Sequence, residues 1–159
     1  MNFKKLGWLS LMLITLGASA QVAADPDWKE SEAPPPPSFN QQQLIPIEMP
    51  RYVSLKLGVD PASLTLTPDG IVRYVVVAVN ASGSVSAMYE GVRCSTWEVK
   101  TYARYTASGQ WSTLNNPPWL GLSDNVPSKH AAALAKQGLC DSGSTTGNSL
   151  ADIVRALKK

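Results

Sequence analysis

The sequence predicts an α+β protein: a five-stranded, mainly antiparallel sheet with a disulfide-tethered helix and a short C-terminal helix. Three observations point there. Between Tyr52 and Tyr105, five β-branched or aromatic runs follow one another, separated by turn residues. After Pro127 the apolar spacing changes to Ala131, Leu134, Ala135, Gly138 and Leu139, one stripe of a helix. Two cysteines, Cys94 and Cys140, stand in a chain that begins like an exported one. Its 159 residues, 44% of them hydrophobic, suffice for one domain but not comfortably for two.

The start of the chain sets the compartment. Lys4 and Lys5 precede a nearly continuous apolar run from Leu6 to Leu16, and Gly17-Ala18-Ser19-Ala20 supply the small residues that a signal peptidase needs. Residues 1–20 read as a secretory signal, with a second possible cut after Ala24, and the apolar run is too short to span a bilayer. The expected destination is an oxidising compartment outside the cytoplasm, and no later stretch is long enough for a membrane span. In that oxidising space Cys94 and Cys140 are expected to pair, closing a loop of about 46 residues worth roughly 4 kcal/mol in loop-closure entropy. The rival reading is a catalytic Cys94 thiolate with His130 as its base.

Residues 25–43 form a Pro-rich leader: Pro34-Pro35-Pro36-Pro37 and Gln41-Gln42-Gln43 favour extended polyproline and oppose helix. Trp28 and Phe39, its large aromatics, are expected to dock on the domain that follows, with a partner as the alternative. That α+β domain covers 44–140, with strands at 52–57, 64–67, 71–79, 85–93 and 97–105. Asp60-Pro61 opens a short helical turn and Pro68-Asp69-Gly70 closes a hairpin. Asn80-Ala81-Ser82-Gly83 reads as a four-residue turn more simply than as a glycosylation acceptor. Ile71 to Val79 is apolar on both faces, as a covered central strand would be. A four-residue turn sets Val79 opposite Ser84, Arg73 opposite Glu90 and Tyr74 opposite Tyr89. With Cys94-Ser95-Thr96 as the next turn, Arg93 faces Trp97 and Glu90 faces Lys100. The outcome is an Arg73–Glu90–Lys100 ladder on one face.

Gly109 to Pro127 is a loop without clear period, carrying Trp111, Pro117-Pro118 and Trp119. Pro127-Ser128 opens the helix that ends at Cys140. Residues 141–159 are a Gly/Ser/Thr linker and a second helix, with Ser149 and Asp152 at its start and Lys158 and Lys159 at its end. So short a helix must dock on something, and Leu150, Ile153, Val154 and Leu157 offer the surface, to the domain or to a partner.

Chemistry is sparsely supplied. Fourteen Lys and Arg face twelve Asp and Glu, and loss of Lys4 and Lys5 with the signal leaves twelve of each. That neutrality argues against nucleic acid or an anionic membrane as partner. Neither Gly-x-Ser-x-Gly nor Ser-x-x-Lys occurs, so a serine nucleophile lacks its tight turn or amine base. One His and a paired Cys couple cannot furnish a zinc site, Asp25-Pro26-Asp27 lacks the rest of a calcium loop, and no motif calls for a cofactor. Glu90 with Glu98 or Asp69 could in principle form a glycosidase pair. The candidate binding residues are Arg73, Glu90, Arg93 and Lys100, as a polar surface for a carboxylate or sugar, and Trp111 and Trp119, as an aromatic platform for peptide or glycan. His130 reads as a partly exposed structural residue.

The segments Asp27-Trp28-Lys29-Glu30, Phe39, Gly58-Val59-Asp60-Pro61-Ala62-Ser63-Leu64, Asp69-Gly70-Ile71-Val72-Arg73-Tyr74 and Tyr89-Glu90-Gly91-Val92-Arg93-Cys94 through Tyr102-Ala103 resemble the cryptic neisserial protein-like family of exported bacterial proteins. The resemblance runs from about Asp27 to Cys140, with the linker and last helix as an extension. It implies an envelope protein of Gram-negative bacteria, expected in the periplasm, with no assigned activity, cofactor or catalytic residue. The expected function is a periplasmic, non-catalytic binding or envelope-associated protein whose partner is an envelope protein, peptide or glycan. The alternative is a small cell-envelope hydrolase working through carboxylates.

Overall fold

The computed structural model describes residues 25–123 and 129–159; the expected signal segment and the expected helix start at Pro127-Ser128 lie outside them. One antiparallel sheet has eight strands, not five: β1 (Ile45–Pro46), β2 (Lys56–Val59), β3 (Thr65–Leu66), β4 (Ile71–Val79), β5 (Val85–Arg93), β6 (Glu98–Tyr105), β7 (Trp111–Thr113) and β8 (Leu120–Gly121). They run in the order β1-β2-β4-β5-β6-β7, with β3 beside β4 and β8 beside β6. The three unforeseen strands, β1, β7 and β8, are two or three residues long. Segments so short carry no alternating pattern, and backbone pairing along β2 and β6 alone recruits them. The run 52–57 also moves. Val53 N–H donates to Pro50 C=O in a turn, pairing begins only at Lys56, and Tyr52 is left 77% exposed. Gly58 then permits the close passage of Leu44, whose Cβ lies 2.8 Å from where a Cβ at residue 58 would stand.

The hairpin registers differ from expectation by one residue. Val79 faces Val85, because the turn has five residues, Asn80 to Ser84. Asn80 Oδ1 accepts from Ser82 N–H, Ser82 Oγ and Ser84 N–H and so draws Ser84 into the loop. Arg73 consequently faces Gly91, and Glu90 faces Tyr74. The next turn uses four residues, with Trp97 in the left-handed region (φ 58°), so Arg93 faces Glu98 and Gly91 faces Lys100. A bulge at Tyr89/Glu90 leaves Tyr102 as the extra residue of β6. One step of register sends a side chain to the opposite face. The Arg73–Glu90–Lys100 ladder is therefore broken: Arg73 and Lys100 share a face, and Glu90 is on the other.

Each face of the sheet has its own core. On one, Val72, Tyr74, Val76, Val92 and Val99 pack with Leu134, Leu139, Ile153 and Leu157 from the helical segments, all of them buried. On the other, Val75, Val77, Ala87, Tyr89, Tyr102 and Ala103 are covered by Phe39, Leu44 and Trp111. Strand β4 thus is the doubly covered centre that its sequence demands. The helical segment begins as α1 (Lys129–Leu134), passes into a π-type turn at Ala135–Leu139, and ends at Cys140. Gly138 (φ 146°) makes that turn, where a Cβ would come within 2.9 Å of the backbone of Ala156. The crossing element is α2 (Leu150–Leu157), capped by Ser149 Oγ accepting from Asp152 N–H. Ile153 and Leu157 are buried against the domain, which settles the docking partner of this helix in favour of its own chain. Residues 140–141 and 144–145 form a separate two-stranded ribbon, β9 and β10. Cys94 and Cys140 are joined, with their Cα atoms 5.5 Å apart.

Candidate functional site

The leader is not a free tail: it lies as a strap without regular secondary structure across the second face of the sheet. Its first anchor is Trp28, whose ring lies under the Arg93 guanidinium at 3.6 Å, meets Trp119 edge-on at 6.1 Å, and donates through Nε1 to Asp69 C=O. Glu30 is the second. Its Oε2 accepts from Lys100 Nζ (2.8 Å) and Trp119 Nε1 (3.1 Å), and its Oε1 from Tyr102 Oη (2.9 Å). Charge-assisted bonds of this kind are the strong ones. Next along the strap, buried Arg73 donates to the carbonyls of Ser31 (2.5 Å) and Glu32 (3.3 Å), and Ser31 N–H donates to Asp69 Oδ2 (2.6 Å). At the far end Phe39 packs edge-on against Tyr105 (5.0 Å) and Trp111 (5.9 Å), and Asn40 N–H donates to the buried Asp60.

These contacts shift the groups that make them. Burial pushes the Tyr102 hydroxyl well up, and its bond to Glu30 adds to the rise while Arg73 opposes it. Burial also raises Tyr89. Asp69 moves the other way: burial disfavours its charge, but the hydrogen bonds from Ser31, and from the Thr67 hydroxyl, outweigh that and hold its carboxyl below the ordinary range.

Between strap and sheet lies a cavity of about 530 Å³. Ala33, Pro34, Pro35 and Pro36 roof it, the Tyr89 and Tyr102 rings floor it, and Lys100 and Glu30 close one end. The volume falls within the range of small-molecule sites, and the lining is mostly apolar with a few convergent polar groups. Gly91 makes the floor possible, because a Cβ there would come within 2.8 Å of both Ile71 and the Tyr102 hydroxyl.

Of the residues singled out from sequence, Arg73, Arg93, Lys100 and Trp119 come together here. Trp111 belongs to the separate Phe39–Tyr105 cluster, so the two tryptophans form no single platform. Glu90 lies on the helix face with no exposed surface. Its Oε2 is 2.8 Å from His130 Nε2 and accepts from Tyr74 Oη (3.2 Å), and its Oε1 accepts from Thr101 Oγ1 (3.3 Å). Burial first, and the adjacent carboxylate second, push the Tyr74 hydroxyl well up. His130 is itself 4% exposed, not partly exposed as expected, and Cys94 is in its disulfide and offers no thiolate. Glu30 and Tyr102 carry roles that residue chemistry alone did not reveal, although both stand within the segments that carry the family resemblance.

Among the described residues no group of three or more His, Cys, Asp or Glu comes together to hold a metal ion, and no helix is long and apolar enough to cross a membrane. No curated protein and no solved structure matches the chain. One protein family does, over residues 23–158. That span takes in the strap, the sheet and also the last helix, so the segment after Cys140 is part of the shared pattern and not an extension of it. The matched residues include the Asp27-Trp28-Lys29-Glu30 anchor as well as the sheet that the strap crosses, and the chain belongs to the CNP1-like family.

Proposed function

We propose that this is an exported, periplasmic binding or envelope-associated protein without catalytic action of its own, whose ligand enters the cavity between strap and sheet. The observation that carries the reading is the construction of that cavity: aromatic floor, proline roof, and a Lys100–Glu30 pair at one end. Proline rings and tyrosine faces offer flat apolar contact to a peptide or a sugar ring, and the charged end fixes orientation. The cover is a strap without ladder hydrogen bonds of its own, so it can yield to a ligand more cheaply than a strand could. The carboxylates named for a hydrolase give that alternative less support, since Glu90 is sealed on the other face, engaged by His130, Tyr74 and Thr101.

The test is an NMR titration of the protein with cell-wall saccharides and short peptides. A ligand should shift the amides of Ala103, Thr113 and Leu114 first. Thr113→Trp, which fills the cavity and leaves the strap contacts in place, should lower its affinity at least about tenfold. Shifts confined to another surface, or undiminished affinity in Thr113→Trp, would reject this cavity as the site.

A further inference from the structure

The chain is nearly neutral as a whole, but its charge is not evenly spread. Three grooves adjoin at the end of the molecule formed by the connection from β1 to β2 and the ends of the helical segments. The first, about 520 Å³, runs along β2 past Leu44, Met49, Val53 and Leu55, with Arg51 and Lys56 in its wall and no acid. The second, about 420 Å³, shares Leu44 and Pro46 with it and adds Lys158 and Lys159. The third, about 760 Å³, shares Met49 and Pro50 with the first and adds Lys129 and Lys136. Half of the twelve cations left after signal removal are thus gathered here. Glu48 is the one acid among the described lining residues. All six cations are exposed, and among the described residues none has an ion-pair partner, whereas Lys100 is paired and Arg73 is hydrogen-bonded to the strap.

The same end carries exposed apolar groups. Tyr52 is 77% exposed and Leu55 44%, and they flank Val53 in a segment whose backbone is turned away from the sheet until Lys56. A solvated loop has no use for an aromatic and a leucine set between two cations. At the boundary of a lipid bilayer each has a place: Tyr at headgroup level, Leu toward the acyl chains, Arg and Lys on the phosphates. A polyanion such as nucleic acid would use the cations but leave the leucine in water.

We propose that this end of the protein docks on an anionic phospholipid surface, with Tyr52 and Leu55 inserted and Arg51, Lys56, Lys158 and Lys159 on the headgroups. The site is separate from the strap cavity and does not depend on what that cavity binds. Attachment is peripheral and reversible, because the inserted area is small and each cation contributes only about fivefold in partition.

Flotation of the mature protein with phosphatidylcholine vesicles, with and without phosphatidylglycerol, tests this at low ionic strength, where surface charge is least screened. The protein should float with the anionic vesicles alone and be released by salt. Arg51→Glu/Lys56→Glu should lower partition more than tenfold and Tyr52→Ser/Leu55→Ser several-fold, while Leu120→Ser, exposed elsewhere on β8, should leave it unchanged. No flotation at low salt, equal flotation with neutral vesicles, or full binding by the charge-reversed variant would overturn the proposal. So would equally tight binding to a single-stranded oligonucleotide that the Tyr52→Ser/Leu55→Ser change does not weaken, since that describes a generic polyanion surface.

Discussion

The two faces of the sheet are covered in opposite ways. The helix face is closed by regular elements whose side chains interdigitate as a continuous apolar core, tied by the Cys94–Cys140 bond. The other face is closed by a strap held at separated points: Trp28 under Arg93, Glu30 at Lys100 and Tyr102, Ser31 at Arg73, Phe39 against Trp111. Between those points the cover leaves about 530 Å³ unfilled. Continuous packing resists opening everywhere at once, but point anchors let a segment lift locally. Stability should therefore reside with the helix face and ligand access with the strap face.

The sharpest way to break that contrast is to cut the tether. Cys94→Ala/Cys140→Ala should cost about 4 kcal/mol by loop-closure entropy, read as the loss in a urea-unfolding midpoint. A cost comparable to that of any single strap anchor would mean that the helix face is not the stability reserve. His130→Ala comes next. It strips the buried Glu90 carboxylate of its nearest partner and should cost about 3 kcal/mol, whereas the volume-conserving Glu90→Gln should cost less. A Glu90→Gln loss as large as that of His130→Ala would overturn this reading, because it would mean that the charge on Glu90 supports the fold and is not a burden once its partner is gone.

A strap anchor should behave differently. Glu30→Ala removes three hydrogen bonds at once, yet these are at a partly exposed site, so global stability should fall by only about 1 kcal/mol. The larger effect should be local: faster proteolysis within residues 31–39 and faster amide exchange at β7, with β4 unchanged. Exchange accelerated equally in β4 and β7 would mean that strap and sheet open as one unit.

How much of this was legible in the chain follows from which patterns a sequence can hold. Strands β4, β5 and β6, the hairpin at Pro68-Asp69-Gly70 and the disulfide were readable, because each is marked by residue type. The register was not. Both faces of β4 are buried, so no polar side distinguishes one alignment from the next, and the choice passed to Asn80 Oδ1 and the loop length it sets. That single step separated Glu90 from Arg73. At the site, Trp28 and Phe39 could be foreseen to dock, since large aromatics in a polar leader have little else to do. Glu30 could not, because a glutamate beside Lys29 and Ser31 looks like any solvated charge until Lys100, Tyr102 and Trp119 are brought to it by the fold.

The smallest expected effect is also the most specific to the strap. Asp69 accepts from Ser31 N–H, and that bond, with the one from Thr67, holds its carboxyl below the ordinary range despite burial. A carboxyl depressed in the folded state favours folding at higher pH. Its contribution is complete above about pH 5, declines as pH falls past the unfolded aspartate value of about 3.9, and is gone below the folded value. Beyond Thr67 of its own hairpin, Asp69 is bonded by the strap end near Trp28, so acidification should loosen that end before it affects the helix face. Trp28, which donates to Asp69 C=O, should report it as a red shift in tryptophan emission below about pH 4, preceding any loss of far-ultraviolet ellipticity. Asp69→Asn should show the loosened emission at every pH. If wild type and Asp69→Asn instead shift together on acidification, the strap is released by some other carboxylate, and Glu30 becomes the group to change next.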